Sequence, residues 1–322
     1  MSEDYSVRAK LISLVIKYYR GSLEFTADDV PPMSWAIQEQ FLSMTVYNSK
    51  LLQYPVNKNF NRLFCKKLIA FLKTEEIHDD FYTFLCSVMS DPKDAFSFVH
   101  YVVDNDITKT IIIRQTNSMV VNGTTGLKTW EAALMLADWA LCNPQVFKRK
   151  NILELGSGVG FTGIAIAKFC EPSALCLTDH HRTVLDIICR NIEINLPNIG
   201  KETNELVTIY KTNNVTIKTL LLDWEYIDDD VTDLTPDVII GADIVYDPSI
   251  LQPLCNVFQT YFKKNSQLEI YIESVIRNPD TFKMFVQLLE HSGYKCESLP
   301  QPLPVHIHWD NFNERCLLKI TK

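Results

Sequence analysis

Residues 151–167, NILELGSGVGFTGIAIA, constrain this chain more than any other stretch. An apolar run ends at an acid, Glu154, and three glycines then alternate with small residues before a helical pattern begins. Such a turn joins a buried strand to a helix and lets a ligand approach the backbone closely. Gly156, Gly158 and Gly160 give G-x-G-x-G behind Glu154, with Ser157 between the first two. Gly158, Gly160 and Gly163 also give G-x-G-x-x-G, the dinucleotide fingerprint. Two nucleotide-like cofactors are therefore open at this point.

The texture around the turn sets the fold class. From residue 151 onward, apolar strand-like runs (NILELG, ALCLTD, VTIKTLLLDW, PDVIIGADIVY, LEIYIESVI, ERCLLKITK) alternate with amphipathic helical patterns. That rhythm predicts an α/β protein with a mostly parallel sheet covered on both faces. TTGLKTWEAALMLADWALCNP (124–144) reads as a helix stopped by Pro144, and KTIIIRQTNSMVVNG (109–123) as a strand or hairpin.

Residues 1–105 read as a separate helical domain, and 106–322 as the cofactor-binding domain. RAKLISLVIKYYRG places Leu11, Leu14, Val15 and Tyr18 on one helix face. FNRLFCKKLIAFLKTEE repeats the pattern with Leu63, Phe64, Lys67, Leu68 and Phe71, and DDFYTFLCSVMSD is a third helix. No glycine-rich nucleotide loop occurs there, so this region reads as contact or support.

Composition removes several classes. The 322 residues are 47% hydrophobic and 22% charged, with a formal net charge of −8. No broad basic field is available to collect phosphates, which argues against nucleic acid as the partner. Nine cysteines include no C-x-x-C pair, so no metal site is expected; they read as reduced thiols, mostly in the core, of the cytosol or nucleus, and a cytoplasmic protein is expected. The opening residues read as neither signal peptide nor membrane span. Asn122 and Asn214 lie in N-x-T triplets and read as chance matches.

Acids at the strand ends narrow the cofactor. Asp179 ends LCLTD at the spacing of a ribose-binding carboxylate, and it also suits capping of the next helix. In LLDW, Trp224 can stack on an adenine and Asp223 can accept from its amine, or Trp224 is an ordinary core aromatic. GADIVYD puts Asp243 and Tyr246 at the mouth of a further strand. A pyrophosphate would repel Glu154, whereas a cofactor bearing an ammonium group would not. Asp179 serves both cofactor readings, whereas the Asp223–Trp224 pair, Asp243 with Tyr246, and Glu154 favour S-adenosylmethionine (SAM) over a dinucleotide, and a dehydrogenase is the weakest option.

ELGSGVGFTG, LTDH, LLDW and GADIVYDPS together resemble the class I, seven-strand SAM-dependent methyltransferases, and more narrowly the protein-lysine methyltransferases of methyltransferase family 16. TTGLKTWEAALMLADWALCNPQVF and the RNP of VIRNPDTF are similar to the branch of that family that modifies translation elongation factor 2. The resemblance implies a Rossmann-like seven-strand sheet whose last strand is antiparallel. It implies that Trp130 contacts the methionine end of SAM, that Gly156, Ser157 and Gly158 line the turn, and that Ala242 lies at the fourth-strand mouth. Asp243 and Tyr246 match the D-x-x-Y element beside the lysine channel and are the expected catalytic pair. Glu154, Gly160, Asp179, Asp223 and Trp224 complete the expected cofactor set. Asp247, where relatives usually carry a small residue or cysteine, departs from the pattern. The implied protein substrate is elongation factor 2, taken to trimethyl-lysine by a monomeric enzyme. A methyltransferase for nucleic acid or a small molecule is disfavoured because ADIVYD lacks the double proline of the D/N-P-P-Y/F element. A non-catalytic scaffold is disfavoured by the intact Asp243 and Tyr246.

Overall fold

A computed structural model describes the chain except residues 1, 73–75, 90–94, 121–122, 198, 205–206, 213, 228–234, 301–302 and 311–313. Asn122 lies outside the described residues. Two compact units divide the chain, Met1–Asn117 and Ser118–Lys322.

The first unit holds α1 (Ser2–Tyr19), α2 (Trp35–Met44), α3 (Ser49–Gln53), α4 (Lys58–Phe71), α5 (Asp79–Ser87) and an antiparallel hairpin, β1 (Phe96–Val102) with β2 (Thr110–Thr116). The spacing in α1 works as read: Leu11, Leu14, Val15 and Tyr18 are buried. In α4 the buried face is Asn61, Phe64, Cys65 and Leu68, while Leu63 and Phe71 are exposed. The Asn57 side chain accepts from the N–H groups of Asn59 and Phe60 and fixes where α4 starts. Rings of Tyr18, Phe25, Phe41, Phe60 and Phe64 meet in edge-on, tilted and stacked contacts at this unit's core. Residues 96–102 lie inside the stretch read as helical, yet they form β1. Their Phe-Ser-Phe-Val-His-Tyr-Val alternation pairs residue for residue with β2.

The second unit runs α6 (Glu131–Cys142), β3 (Asn151–Leu155), α7 (Phe161–Phe169), β4 (Ala174–Asp179), α8 (Arg182–Asn195), β5 (Gly200–Thr203), β6 (Val207–Lys211), β7 (Thr216–Leu221), β8 (Val238–Ala242), α9 (Leu251–Lys264), β9 (Glu269–Val275), α10 (Pro279–His291), β10 (Lys295–Leu299) and β11 (Arg315–Thr321). Among the described residues these strands form one sheet in the order β10-β11-β9-β8-β3-β4-β7-β6-β5. The expected α/β, Rossmann-like arrangement is present: β7, β4, β3, β8 and β9 are parallel, and the last strand, β11, runs antiparallel between β9 and β10. Seven strands were expected, and β5 and β6 extend that set to nine by antiparallel pairing beyond β7. Their residues, Gly-Lys-Glu-Thr and Val-Thr-Ile-Tyr-Lys, are mostly exposed, so no continuous apolar run marks them in the sequence.

Strand alternation sorts the two faces. Leu153, Leu155, Ile239, Ile270 and Ile272 pack with Leu254, Phe258 and Phe285 of α9 and α10. The opposite parity reaches the other layer, where Tyr271 meets Trp139 of α6. Register decides where a ligand fits. Glu154 pairs level with Leu177 and Ile240, Leu155 with Gly241, and Asp179 with Leu221. The exits of β3, β4, β7 and β8 therefore open side by side, at the switch point where β4 and β8 flank β3.

Candidate active site

Those four exits line a cavity of about 360 Å³, a volume suited to a small-molecule ligand. Every lining residue belongs to the second unit.

The turn after β3 supplies its floor. Gly156, Gly158 and Gly160 have φ of 60°, 54° and 81°, in the region where a Cβ is strained. A Cβ on Gly156 would lie 2.8 Å from Ile244 Cγ2, and one on Gly158 would lie 3.3 Å from the Gly126 carbonyl oxygen. Glycine is thus required at Gly156 by both angle and space. Ser157 does not reach the cavity. Its N–H donates to the Thr178 carbonyl (2.8 Å), and its hydroxyl accepts from the Thr178 N–H (3.0 Å), so it clamps the β3 turn to β4. Gly160 begins α7 against Ile188 and also lies behind the lining.

Glu154 is buried behind the turn as well. Its Oε2 stands where a Cβ on Gly163 would be 2.6 Å away, so the carboxyl faces α7 rather than the cavity. Burial pushes it up to about 8, against the pull of the Ser157 hydroxyl and the Gly163 N–H. Gly163 thereby serves the close helix–strand packing of the third fingerprint glycine.

Asp179 bridges the end of β4 to the glycine turn, while the N-cap of α8 falls on His181 rather than on Asp179. Oδ1 accepts from the His181 N–H (3.0 Å) at the start of α8, and Oδ2 accepts from the Gly158 N–H (3.3 Å). It lines the cavity beside His180, and burial raises its pKa against those hydrogen bonds. After β7, Asp223 and Trp224 also line it. The Asp223 carboxylate accepts from the Glu225 N–H (3.0 Å), which sets the short turn that presents Trp224.

The fourth wall is unlike the others. Residues 124–130, read as the start of a helix, form a turn instead, and α6 begins only at Glu131. The Thr124 hydroxyl accepts from the Gly126 N–H (3.0 Å), a local bond that competes with helix. Thr124, Thr125 and Gly126 thereby face the ligand space, and Trp130 joins them with its indole N–H donating to the Thr125 carbonyl (3.1 Å). Trp130 thus precedes the helix rather than packing along its face.

At the mouth of β8, Ala242, Asp243 and Tyr246 line the same cavity. Asp243 has φ 56°, an uncommon conformation for a residue other than glycine. Its N–H donates to the Glu273 carbonyl (2.9 Å), Oδ1 accepts from the Val275 N–H (3.1 Å), and Oδ2 takes an ion pair from Arg277 Nη2 (2.9 Å). Tyr246 is 61% exposed, and burial of its hydroxyl region together with the Asp247 and Asp179 charges raises its pKa. Asp247 is accounted for locally: Oδ1 accepts from the Ser249 N–H (2.9 Å) and hydroxyl (2.8 Å), capping a short turn.

Of the residues singled out from sequence, Trp130, Gly156, Gly158, Asp179, Asp223, Trp224, Ala242, Asp243 and Tyr246 meet in one cavity. Glu154, Ser157 and Gly160 support its turn from behind. Arg277 and Glu273 were missed. Arg277 stands in the RNP triplet, where Asn278 caps α10 by accepting from Asp280 and Thr281 N–H groups and Pro279 opens the helix. Its guanidinium also lies 5.3 Å from the Trp130 ring centroid. Glu273 is buried with neither carboxyl oxygen hydrogen-bonded. Burial and the Asp243 charge push it up to about 9 although Arg315 pulls it down.

The cradle fits an adenosyl cofactor: two glycines with no side chain to block it, a nearly buried carboxylate at the β4 exit, and an indole. Among the described residues no group of ligating side chains could hold a metal, and no helix is long and apolar enough to cross a membrane.

Comparison with known proteins agrees. The model of a family described as lysine methyltransferase matches residues 108–292. The protein-lysine N-methyltransferase EEF2KMT of Homo sapiens is 29% identical over 288 residues, covering 87% of this chain and 84% of its own. That of Bos taurus is 31% identical over 299 residues, covering 87% and 85%. The protein-lysine N-methyltransferase EFM3 of Saccharomyces cerevisiae is 29% identical over 244 residues, covering 69% and 66%.

Proposed function

The chain belongs to the lysine methyltransferase family, and from that premise we propose that it methylates a lysine of translation elongation factor 2, to the trimethylated state. It is a SAM-dependent protein-lysine methyltransferase. One observation carries the assignment of roles: Asp243 and Tyr246 open into the same cavity as Gly156, Asp179 and Trp224, so cofactor and acceptor ends are continuous. The likeness to relatives named EEF2KMT supports the substrate.

Asp179 would hold the ribose hydroxyls, Trp224 would stack on the adenine, the Gly156–Gly158 backbone would admit the cofactor, and Trp130 would contact its methionine end. When bound, SAM supplies a methyl group on a cationic sulfur, whose charge disfavours an ammonium beside it. The acceptor must be a neutral amine. Freeing a lysine of its proton at pH 7 costs roughly 4.6 kcal/mol from a pKa of about 10.4. An ionised carboxylate touching that nitrogen would favour the ammonium. Asp243 therefore aims the lysine rather than abstracting its proton, and alignment supplies the rate. Tyr246 narrows the channel. Residues 1–105 serve substrate choice, since every residue lining the cavity lies beyond them.

Mass spectrometry of elongation factor 2 incubated with the purified protein and labelled SAM tests this. A trimethylated lysine is expected. Labelling of other proteins with none on elongation factor 2 would contradict the substrate.

A further inference from the structure

Asp243 reaches the acceptor end with a cation already attached. Arg277 Nη2 lies 2.9 Å from Oδ2, the Arg277 side chain is 49% exposed and that of Asp243 8%. The guanidinium also sits over Trp130. The one guanidinium thus contacts two residues that line the cavity, Asp243 and Trp130. A carboxylate beside a reacting lysine carries a conflict: it grips the side chain, but it also stabilises the unreactive ammonium.

We propose that Arg277 is a positioning residue for methyl transfer, balancing the Asp243 charge so that the carboxylate aims the lysine without holding its proton. The inference rests on Asp243 being the lysine contact. Among the described residues, the other charged or titratable groups that share the cavity with Asp243 or face it are Asp179 and His180 after β4, Asp223 and Glu225 after β7, Tyr246 after β8 with Asp247 acting on it, Glu273 on β9, and Arg315 on β11 beyond Glu273. Among the described residues the cation bonded to Asp243 is Arg277. A planar guanidinium suits the task, since it stacks on an aromatic face while its N–H groups meet a carboxylate.

The test is single-turnover methylation of elongation factor 2 at saturating SAM, from pH 6 to 10, for the full chain. Arg277→Ala, Arg277→Gln, Arg277→Lys, Asp243→Asn and the double variant Arg277→Ala/Asp243→Asn are compared with wild type. Removing the cation raises the lysine pKa, so the rising limb of rate against pH moves up by about one unit or more in both Arg277→Ala and Arg277→Gln. The loss is therefore greatest at low pH and closes as pH rises. Arg277→Lys keeps the wild-type limb. Asp243→Asn removes the charge that Arg277 balances and moves the limb down, and the double variant, with both charges gone, brings it back towards the wild-type position. Binding gives a second readout. With S-adenosylhomocysteine present at pH 7, Arg277→Ala holds elongation factor 2 several-fold more tightly while turning over more slowly.

A rate that falls by one constant factor at every pH, with affinity falling too, overturns the inference and leaves Arg277 a structural tether. Absence of elongation factor 2 methylation by the wild type instead overturns the substrate reading on which it rests.

Discussion

The turns leaving β3 and β8 stand next to each other in the sheet and both bend the chain through positive φ, yet they are built from different residues. After β3, Gly156, Gly158 and Gly160 take those angles at little cost, and Gly156 and Gly158 put no side chain of their own into the cavity. After β8 the angle falls on Asp243, held there by its N–H bond to Glu273, by the Val275 N–H and by Arg277. Where the backbone itself must meet the cofactor, glycine suffices. Where a carboxylate must stand at one place, the strained residue is kept and three distant contacts hold it. The β3 turn, proposed as the cofactor end, is thus a local product of chain geometry, and the β8 turn, proposed as the acceptor end, is a tertiary one.

Making the second turn resemble the first is the sharpest way to break that contrast. Asp243→Gly suits φ 56° and deletes the carboxylate. Single-turnover methylation should fall by about 10²-fold through lost alignment, while thermal unfolding shows stability equal to or above wild type. Retained methylation would make the two turns equivalent and the carboxylate irrelevant.

At the cofactor end the effect should appear in binding. Trp224→Ala should raise KM for SAM by about one to two orders of magnitude, from a stacking contribution of roughly 1–3 kcal/mol. Steady-state kinetics at saturating SAM should recover most of kcat, because the contact is equal in ground and transition states. A kcat that stays low would move Trp224 to the acceptor side.

Gly156→Ala asks whether the first turn needs glycine. Its Cβ meets Ile244 at 2.8 Å with φ 60°, so denaturant unfolding should show a loss of about 1–3 kcal/mol. Calorimetry should show SAM affinity reduced by about tenfold, the scale of one lost contact.

The smallest expected effect on methyl transfer comes from Glu154→Gln. With its pKa raised to about 8, Glu154 takes up a proton on folding at neutral pH. Its favourable contribution is complete below the unfolded value of about 4.5 and is lost as pH rises through about 8. Glu154→Gln should flatten the decline of stability between those limits, measured by urea unfolding at several pH values, with turnover at pH 7 nearly unchanged. A substitution that abolishes turnover would return Glu154 to the ligand.

What the sequence made legible follows the same division. The β3 turn, α7, and the strands ending at Asp179 and Ala242 were readable because apolar runs and glycines are local signals. β1 was read as helix because its short alternation lies within a region of helical spacing. β5 and β6 left no apolar trace. Glu154 was placed at the ligand because sequence shows which residue precedes the glycines but not which way its carboxyl turns. Arg277 was out of reach for a different reason. Its partner is 34 residues away, and nothing in RNP indicates an ion pair until β8 and β9 lie side by side.

The most direct measurement of this two-ended site is calorimetric titration of SAM into wild type, Trp224→Ala and Asp243→Ala, each first shown to be folded. The account predicts that Trp224→Ala binds SAM weakly and that Asp243→Ala binds it with wild-type affinity. Loss of SAM binding in a folded Asp243→Ala protein would contradict it, placing Asp243 in the cofactor site rather than at the acceptor lysine.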